Sequence, residues 1–184
     1  MPGRRKDPGL TPMMLIIAWG NPLRRDDGAG LRLGEMLERL WRERDGDVLH
    51  IAVHQLTPEL AEDVARDDVS GIVFTDARVI SAEGGNAQPG IRVHPLSAKS
   101  RALVFGHGLD PATIMACVRL LYHKAPPVWL ATVPGVDFNH GEGLSETAEK
   151  ALSSIPERLR DLGKKTVAGA PVMRNSRGSG GLVS

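Results

Sequence analysis

Residues 13–44 read MMLIIAWGNPLRRDDGAGLRLGEMLERLWRER, and the order of signals within them sets the fold class. Met13–Ala18 is a short, continuous apolar run, and Gly20 closes it one residue after Trp19. That is the pattern of a strand covered on both faces, as in a parallel sheet. Beyond Gly30, apolar side chains recur at Leu31, Leu33, Met36, Leu37, Leu40 and Trp41, which is helical spacing. A glycine-rich turn between a buried strand and a helix usually suggests a nucleotide phosphate. Here, however, Asp26 and Asp27 stand where the phosphate would sit. The three spaced glycines of a dinucleotide fingerprint are absent, and so is the terminal Gly-Lys-Ser/Thr of a P-loop. Acids at a helix N-terminus are favoured by the dipole and can cap it. One aspartate as an N-cap and the other in solvent is therefore an open alternative to a functional pair.

The same alternation continues along the chain. DVLHIAVHQL (47–56) reads as a second strand, and Pro58 opens PELAEDVARD as a helix with proline in its first turn. SGIVFTDARV (70–79) is a third strand, rich in β-branched residues, and a possible edge strand lies around Ile91–His94. Asp110 has the place of an N-cap, with Pro111 next, for PATIMACVRLLYHK; PPVWLATVPG (126–135) is a further core strand. After Ser145, ETAEKALSSIPERLRDLG gives a last amphipathic helix that Pro156 should kink or split. Strands alternating with helices predict a three-layer α/β/α domain over 13–163, with a mostly parallel, twisted sheet of about five strands. Residues 1–12 are expected to be a flexible segment. The Gly/Ser-rich 164–184 is expected to be a disordered tail.

Composition narrows the function classes. Among 184 residues there is one cysteine, Cys117, so an intramolecular disulfide and a cysteine-rich zinc site are excluded. A net charge of +1 and 4% aromatic residues supply neither a basic face nor a stacking platform for nucleic acid. No apolar run approaches the ~20 residues that span a bilayer. The N-terminus is broken by prolines and lacks the apolar core of a secretory signal. A cytoplasmic setting is the expectation.

In open α/β sheets, ligands bind in the loops after the strands. Three such loops offer chemistry: Asp27 after the first strand, Asp76 at the end of GIVFTDA, and His107 between Gly106 and Gly108 ahead of a helix. Asp76 could instead cap the following segment, and a lone loop histidine is more often bland than functional. Two carboxylates and an imidazole suit a borderline divalent cation such as nickel or zinc, with open positions left over. No pair has a local metal-ligand spacing, so the cluster is inferred from topology alone. Cys117 lies in a helical pattern among apolar neighbours, which is the setting of a small packed hydrophobe and not of a nucleophile.

Five motifs, GNPLRRDDGAG, HQLTPELAEDVA, IVFTDA, GHGLDPATIMA and GEGLSETAEKAL, occur in an order that resembles the maturation endopeptidases of nickel–iron hydrogenases. The likeness spans about Met14 to Leu162. HQLTPELA is most similar to the branch serving bidirectional, NAD-linked hydrogenases. The resemblance implies an enzyme that removes a C-terminal extension from the precursor of the hydrogenase large subunit after nickel insertion, reading the nickel carried by that precursor. It puts the metal-binding and catalytic positions on Asp27, Asp76 and His107. Gly20, Asn21, Asp26, His54 and Gln55 would form the substrate-binding surface, with Gly20 and Asn21 building the turn, Asp26 supporting Asp27, and His54 and Gln55 contacting the precursor. One departure is visible: relatives commonly carry Gly-x-Gly-Asn where this chain has Ala18-Trp19-Gly20-Asn21. The expectation is a monomeric hydrolase acting by metal-linked hydrolysis. A precursor-binding checkpoint protein that cuts nothing would use the same three ligands, and a nucleotide-binding domain is disfavoured by the missing phosphate motif.

Overall fold

The structure is a computed structural model that describes residues 11–80, 89–96 and 109–163. Its five-stranded sheet has the order β2-β1-β3-β5-β4. The strands are β1 Met13–Trp19, β2 Val48–Val53, β3 Val69–Val79, β4 Arg92–Pro95 and β5 Val128–Gly135. All neighbours pair in parallel except β4, which runs antiparallel to β5 on the edge. The helices are α1 Ala29–Arg42, α2 Leu60–Val64, α3 Pro111–Tyr122, α4 Glu146–Leu152 and α5 Glu157–Leu162. The expected α/β/α architecture is thus the observed one. No helix of the described residues is long and apolar enough to cross a membrane.

Two cores flank the sheet because successive strand residues face opposite ways. Leu15, Ile17, Ile72, Phe74 and Leu130 pack with Leu60 and Val64 of α2 and with Ile114, Met115 and Val118 of α3. Ile16, Val73, Ala131 and Val133 face the other way, onto Leu33, Leu37 and Trp41 of α1, Ala148 and Leu152 of α4, and Leu159 of α5. Each such large side chain contributes about 1.5–3 kcal/mol by leaving water. Trp41 satisfies its indole inside this second core by donating Nε1–H to the Leu159 carbonyl at 3.0 Å. Cys117 packs partly buried against the first core.

Capping follows the sequence closely. The Asp110 side chain accepts the Thr113 N–H at 2.7 Å with Pro111 next in line, and Ser145 accepts the Ala148 N–H at 3.3 Å. Pro156, which has no N–H to donate, stands at the break between α4 and α5, so the last helix is split as expected. Three boundaries differ. Helix α2 covers Leu60–Val64 only, so Pro58 lies ahead of it and not in its first turn; the chain leaves it at Ala65, and β3 starts at Val69. The second strand ends at Val53, leaving His54 and Gln55 in a bend, and the edge strand starts one residue later than expected. Residues 1–10 and 164–184, on which the flexible-segment and disordered-tail expectations fall, lie outside the described residues.

The order of strands matters for function. From β1 the chain crosses by α1 to β2 on one side of β1, and then by α2 on the opposite face to β3 on its other side. Helix α1, which follows β1, and helix α3, which leads into β5, thus cover opposite faces. That switch point at the carboxyl ends of the strands is where such sheets hold their ligands.

Candidate active site

The turn after β1 is built around Gly20. Its φ of 143° suits glycine, and a Cβ there would fall 2.0 Å from the Asp27 carbonyl oxygen. Asn21 then closes an Asx turn, its Oδ1 accepting the Leu23 N–H at 3.0 Å, while its own N–H donates to Asp27 Oδ2 at 2.9 Å. Both residues have the turn-building place the sequence assigned. Asp27 is thereby held in one orientation at the lip, and no described residue bonds its Oδ1.

Asp26, its neighbour, has a different environment. It is fully buried, with Oδ2 accepting the N–H groups of Val136 and Asp137 at 2.7 and 2.9 Å, and Oδ1 that of Ser145 at 2.6 Å. Burial pushes its pKa up, but the donors from Ser145, Asp137 and Val136 outweigh burial and hold it below the ordinary carboxyl value. Neither aspartate caps α1, whose N-cap is Gly28 without a side-chain bond; Asp26 instead binds the amide of Ser145, the N-cap of α4. The pairing of one capping and one solvated acid is therefore corrected. Asp26 acts as a strap, joining the 3-10 turn Arg25–Gly28 to the loop after β5. Arg25, at φ 48°, is fixed in the same seam by its N–H to the Gly141 carbonyl at 3.1 Å. An aspartate this enclosed is not available to touch a bound chain.

Gly30 brings the second acid to the first. A Cβ on Gly30 would lie 2.6 Å from Asp76 Cα and 2.8 Å from the Thr75 carbonyl, so the first turn of α1 rests directly on the C-terminal half of β3. Thr75 Oγ1 locks the approach by donating to the Gly30 carbonyl at 2.8 Å. Asp76 Oδ1 accepts the N–H of Ala77 at 2.7 Å. Burial, with a further push from the Asp27 charge, raises the Asp76 pKa to about 7 despite that hydrogen bond. Two carboxylates, one on the 3-10 turn after β1 and one on β3 with its pKa near neutrality, make an arrangement that a cation would discharge.

The remaining assigned residues fall as follows. His54 and Gln55 are exposed at the end of β2, beside the turn, where the Gly20 N–H reaches the Val53 carbonyl at 3.3 Å. No hydrogen bond or ion pair joins either of them to Asp27 or Asp76. His107 lies outside the described residues, three positions ahead of the α3 N-cap Asp110. Among the described residues, no group of three His, Cys, Asp or Glu side chains is placed to hold a metal. The sequence reading passed over three further polar residues at this lip. Thr132 of β5 is the register partner of both Asp76 and Arg92, and Arg78 reaches Thr132 Oγ1 with Nε at 3.4 Å. Burial, and then the Arg92 charge, lower the Arg78 pKa, so the two guanidiniums feel one another. The period-2 spacing of Asp76 and Arg78 was the available signal.

The mostly parallel sheet and its flanking helices are a fold that this chain shares with solved structures of hydrogenase maturation proteases. HycI from Thermococcus kodakarensis KOD1 aligns over 84% of this chain and 91% of its own, with 24% identity and a TM-score of 0.57. The hydrogenase maturating endopeptidase HybD from E. coli aligns over 82% and 88%, with 20% identity and a TM-score of 0.57. The endopeptidase HycI from Escherichia coli aligns over 89% and 99%, with 14% identity and a TM-score of 0.58. These likenesses establish a shared fold over most of each chain. No family model and no curated protein sequence matches the chain.

Proposed function

We propose that this chain is an endopeptidase that removes the C-terminal extension of a nickel–iron hydrogenase large-subunit precursor after nickel insertion, using the nickel in the precursor as its recognition mark. The observation that carries this is the meeting of Asp27 and Asp76 at the switch point of a sheet shared with hydrogenase maturation proteases. Nickel is here part of the substrate. When bound, it supplies Lewis-acid polarisation of the scissile carbonyl or of a water.

The chain's own residues do the rest. Asp27, held by the Asn21 amide, offers the cation its Oδ1, which no described residue bonds. Asp76 releases its proton as the cation arrives; a carboxyl with a pKa near neutrality is also suited to take a proton from the attacking water and pass it on. His107 completes the ligand set by resemblance. His54 and Gln55, exposed on the adjoining strand end, are assigned to contact with the precursor. HQLTPELA carries the finer assignment to the branch serving NAD-linked hydrogenases.

The test mixes the purified protein with its cognate precursor in nickel-loaded and nickel-free forms and follows intact mass. Loss of a discrete C-terminal peptide from the loaded form alone is the expected result. Binding without cleavage would make the chain a checkpoint protein. No interaction with either form would overturn the reading.

A further inference from the structure

The ladder between β1 and β3 ends at Ala18 and Thr75, yet β3 continues to Val79, paired from there with β5 alone among the described strands. Backbone groups of successive strand residues point to opposite sides. Ile72 and Ile80 give their N–H groups to the β5 side, to the carbonyls of Pro127 and Gly135. Ala77 and Val79 therefore turn theirs to the side that β1 has left. The next rung of the ladder would run from the Ala77 N–H to the Trp19 carbonyl. It is not made, and that N–H goes to Asp76 Oδ1 at 2.7 Å. The Asp76 carboxylate thus takes the place of a β1 rung, and a lane opens beside it. No described residue hydrogen-bonds the Ala77 carbonyl or the N–H and carbonyl of Val79, and Val79 is 73% exposed. Sheets commonly blunt a bare edge with charge or proline. Ala77 and Val79 bring neither.

We propose that the edge from Ala77 to Val79 receives the C-terminal segment of the precursor as an added strand, in the lane that β1 vacates. The proposal rests on the reading of the chain as a processing peptidase. Such an enzyme must hold its substrate extended, and main-chain pairing to a sheet edge does so whatever the side chains are. The Ala77 carbonyl and the N–H and carbonyl of Val79 offer two acceptors and a donor. They span about 6.6 Å of edge, a run of about three peptide residues. A strand in this lane lies ~4.8 Å from β3, so it passes the Asp76 carboxylate at the head of the lane. The residues that pair with the edge therefore lie within about four of the scissile bond.

The experiment measures cleavage of the nickel-loaded precursor by wild type, Val79→Ala and Val79→Pro. Proline removes the Val79 N–H, is accommodated on an edge where that N–H meets no strand, and suits the extended backbone already present at Arg78. Val79→Pro should raise KM about five- to tenfold and change kcat by less. Val79→Ala keeps the N–H and should give less than about a third of that rise. Equal KM in the two variants overturns the proposal. A second arm keeps the enzyme wild type and places proline, and in parallel alanine, singly at the second to about the fifth residue on either side of the cut. A strand on one edge uses every second N–H, so proline should raise KM over alanine at alternate positions on the side that docks. Losses at every position, or at none, overturn the proposal, and this arm decides if Val79→Pro does not fold. If wild type cleaves no precursor, the peptidase reading itself has failed. Calorimetry with the same nickel-loaded precursor then tests the edge alone: weaker binding by Val79→Pro than by Val79→Ala supports it, and equal binding, or none by wild type, overturns it. Sedimentation of the full chain by itself tests the other occupant. A dimer that Val79→Pro takes apart would give the edge to a second copy and overturn the proposal.

Discussion

Asp26 accepts the Ser145 N–H at 2.6 Å across 119 residues of chain, while Asp27, one position on, turns to the lip and takes the Asn21 N–H. Adjacent acids thus have separate surroundings: the first fastens the 3-10 turn to the loop after β5, and the second is held at the lip by the Asn21 amide. Replacing Asp26 by Asn keeps the size but leaves buried N–H groups without an anionic acceptor and sets an amide against them. At about 1–3 kcal/mol per unsatisfied group, Asp26→Asn should cost about 2–4 kcal/mol of stability, read by urea unfolding. The Asp26 pKa is lowered on folding, so its contribution is present above the unfolded value of 3.8 and fades as pH falls through the folded one. The gap between variant and wild type should therefore narrow in strong acid. A constant gap from pH 7 to pH 3 would show that charge is not what holds the strap.

Gly30 sets the distance between the two acids. In an ordinary helix, Gly→Ala is favourable by about 0.5–1 kcal/mol. Here the added carbon would lie 2.6 Å from Asp76 Cα, and backbone cannot swing aside, so α1 must shift off β3. Gly30→Ala should cost about 1–3 kcal/mol and at least tenfold in precursor cleavage, since positioning errors near an ångström carry penalties of that order or more. Gly34→Ala is the control. Its Cβ would meet the Ala18 and His50 side chains at 2.7 and 2.8 Å, one turn further along α1, so it should destabilise the fold with a smaller loss of cleavage. Equal losses in the two would detach activity from the Asp27–Asp76 spacing.

The strands and helices that make the sheet were legible because each carried an unambiguous period or a cap. The run before Gly20, the stripe from Leu31 to Trp41, the Asp110-Pro111 start and the break at Pro156 all appear where the sequence put them. The short α2 was not, since proline and a few apolar residues do not fix where a one-turn helix begins. At the site, the turn after β1 could be read from its strand end, whereas Asp76, expected at a strand end, lies inside β3 three residues short of Val79. The opposite roles of Asp26 and Asp27 could not be read, because Val136, Asp137 and Ser145, which bury Asp26, lie more than a hundred residues away. The meeting of Arg78 with Arg92 was hidden likewise, since it depends on which strands flank β5.

Cys117 sits on α3, partly buried against the core formed with α2. Cys117→Ser should leave cleavage within about twofold of wild type and cost about 1 kcal/mol at most, the scale of adding a hydroxyl to a half-buried position. The same precursor assay and a thermal melt read both numbers. Abolished cleavage in a folded Cys117→Ser protein would point to a thiol nucleophile and away from the two carboxylates.

Asp76 is a site group held at a cost to the fold. Its pKa rises from 3.8 to about 7 on folding, so the folded protein binds the extra proton and the ionised form is penalised. The sign follows: stability associated with Asp76 is present below pH 3.8 and is lost as pH rises through about 7. At 1.36 kcal/mol per pH unit this amounts to at most about 4 kcal/mol, less whatever solvent screening removes. Asp76→Asn keeps an oxygen for the Ala77 N–H and removes the charge, so it should raise the melting temperature at pH 8 and leave it unchanged near pH 4. The same variant should abolish cleavage, because an amide is a poor cation ligand and no base. In wild type, binding of the nickel-loaded precursor should strengthen as pH rises through about 7, when the Asp76 proton no longer competes with the cation. In Asp76→Asn that rise should flatten. A variant that is no more stable at pH 8, or that binds with an unaltered pH profile, would mean that Asp76 does not carry the strained proton at the centre of this site.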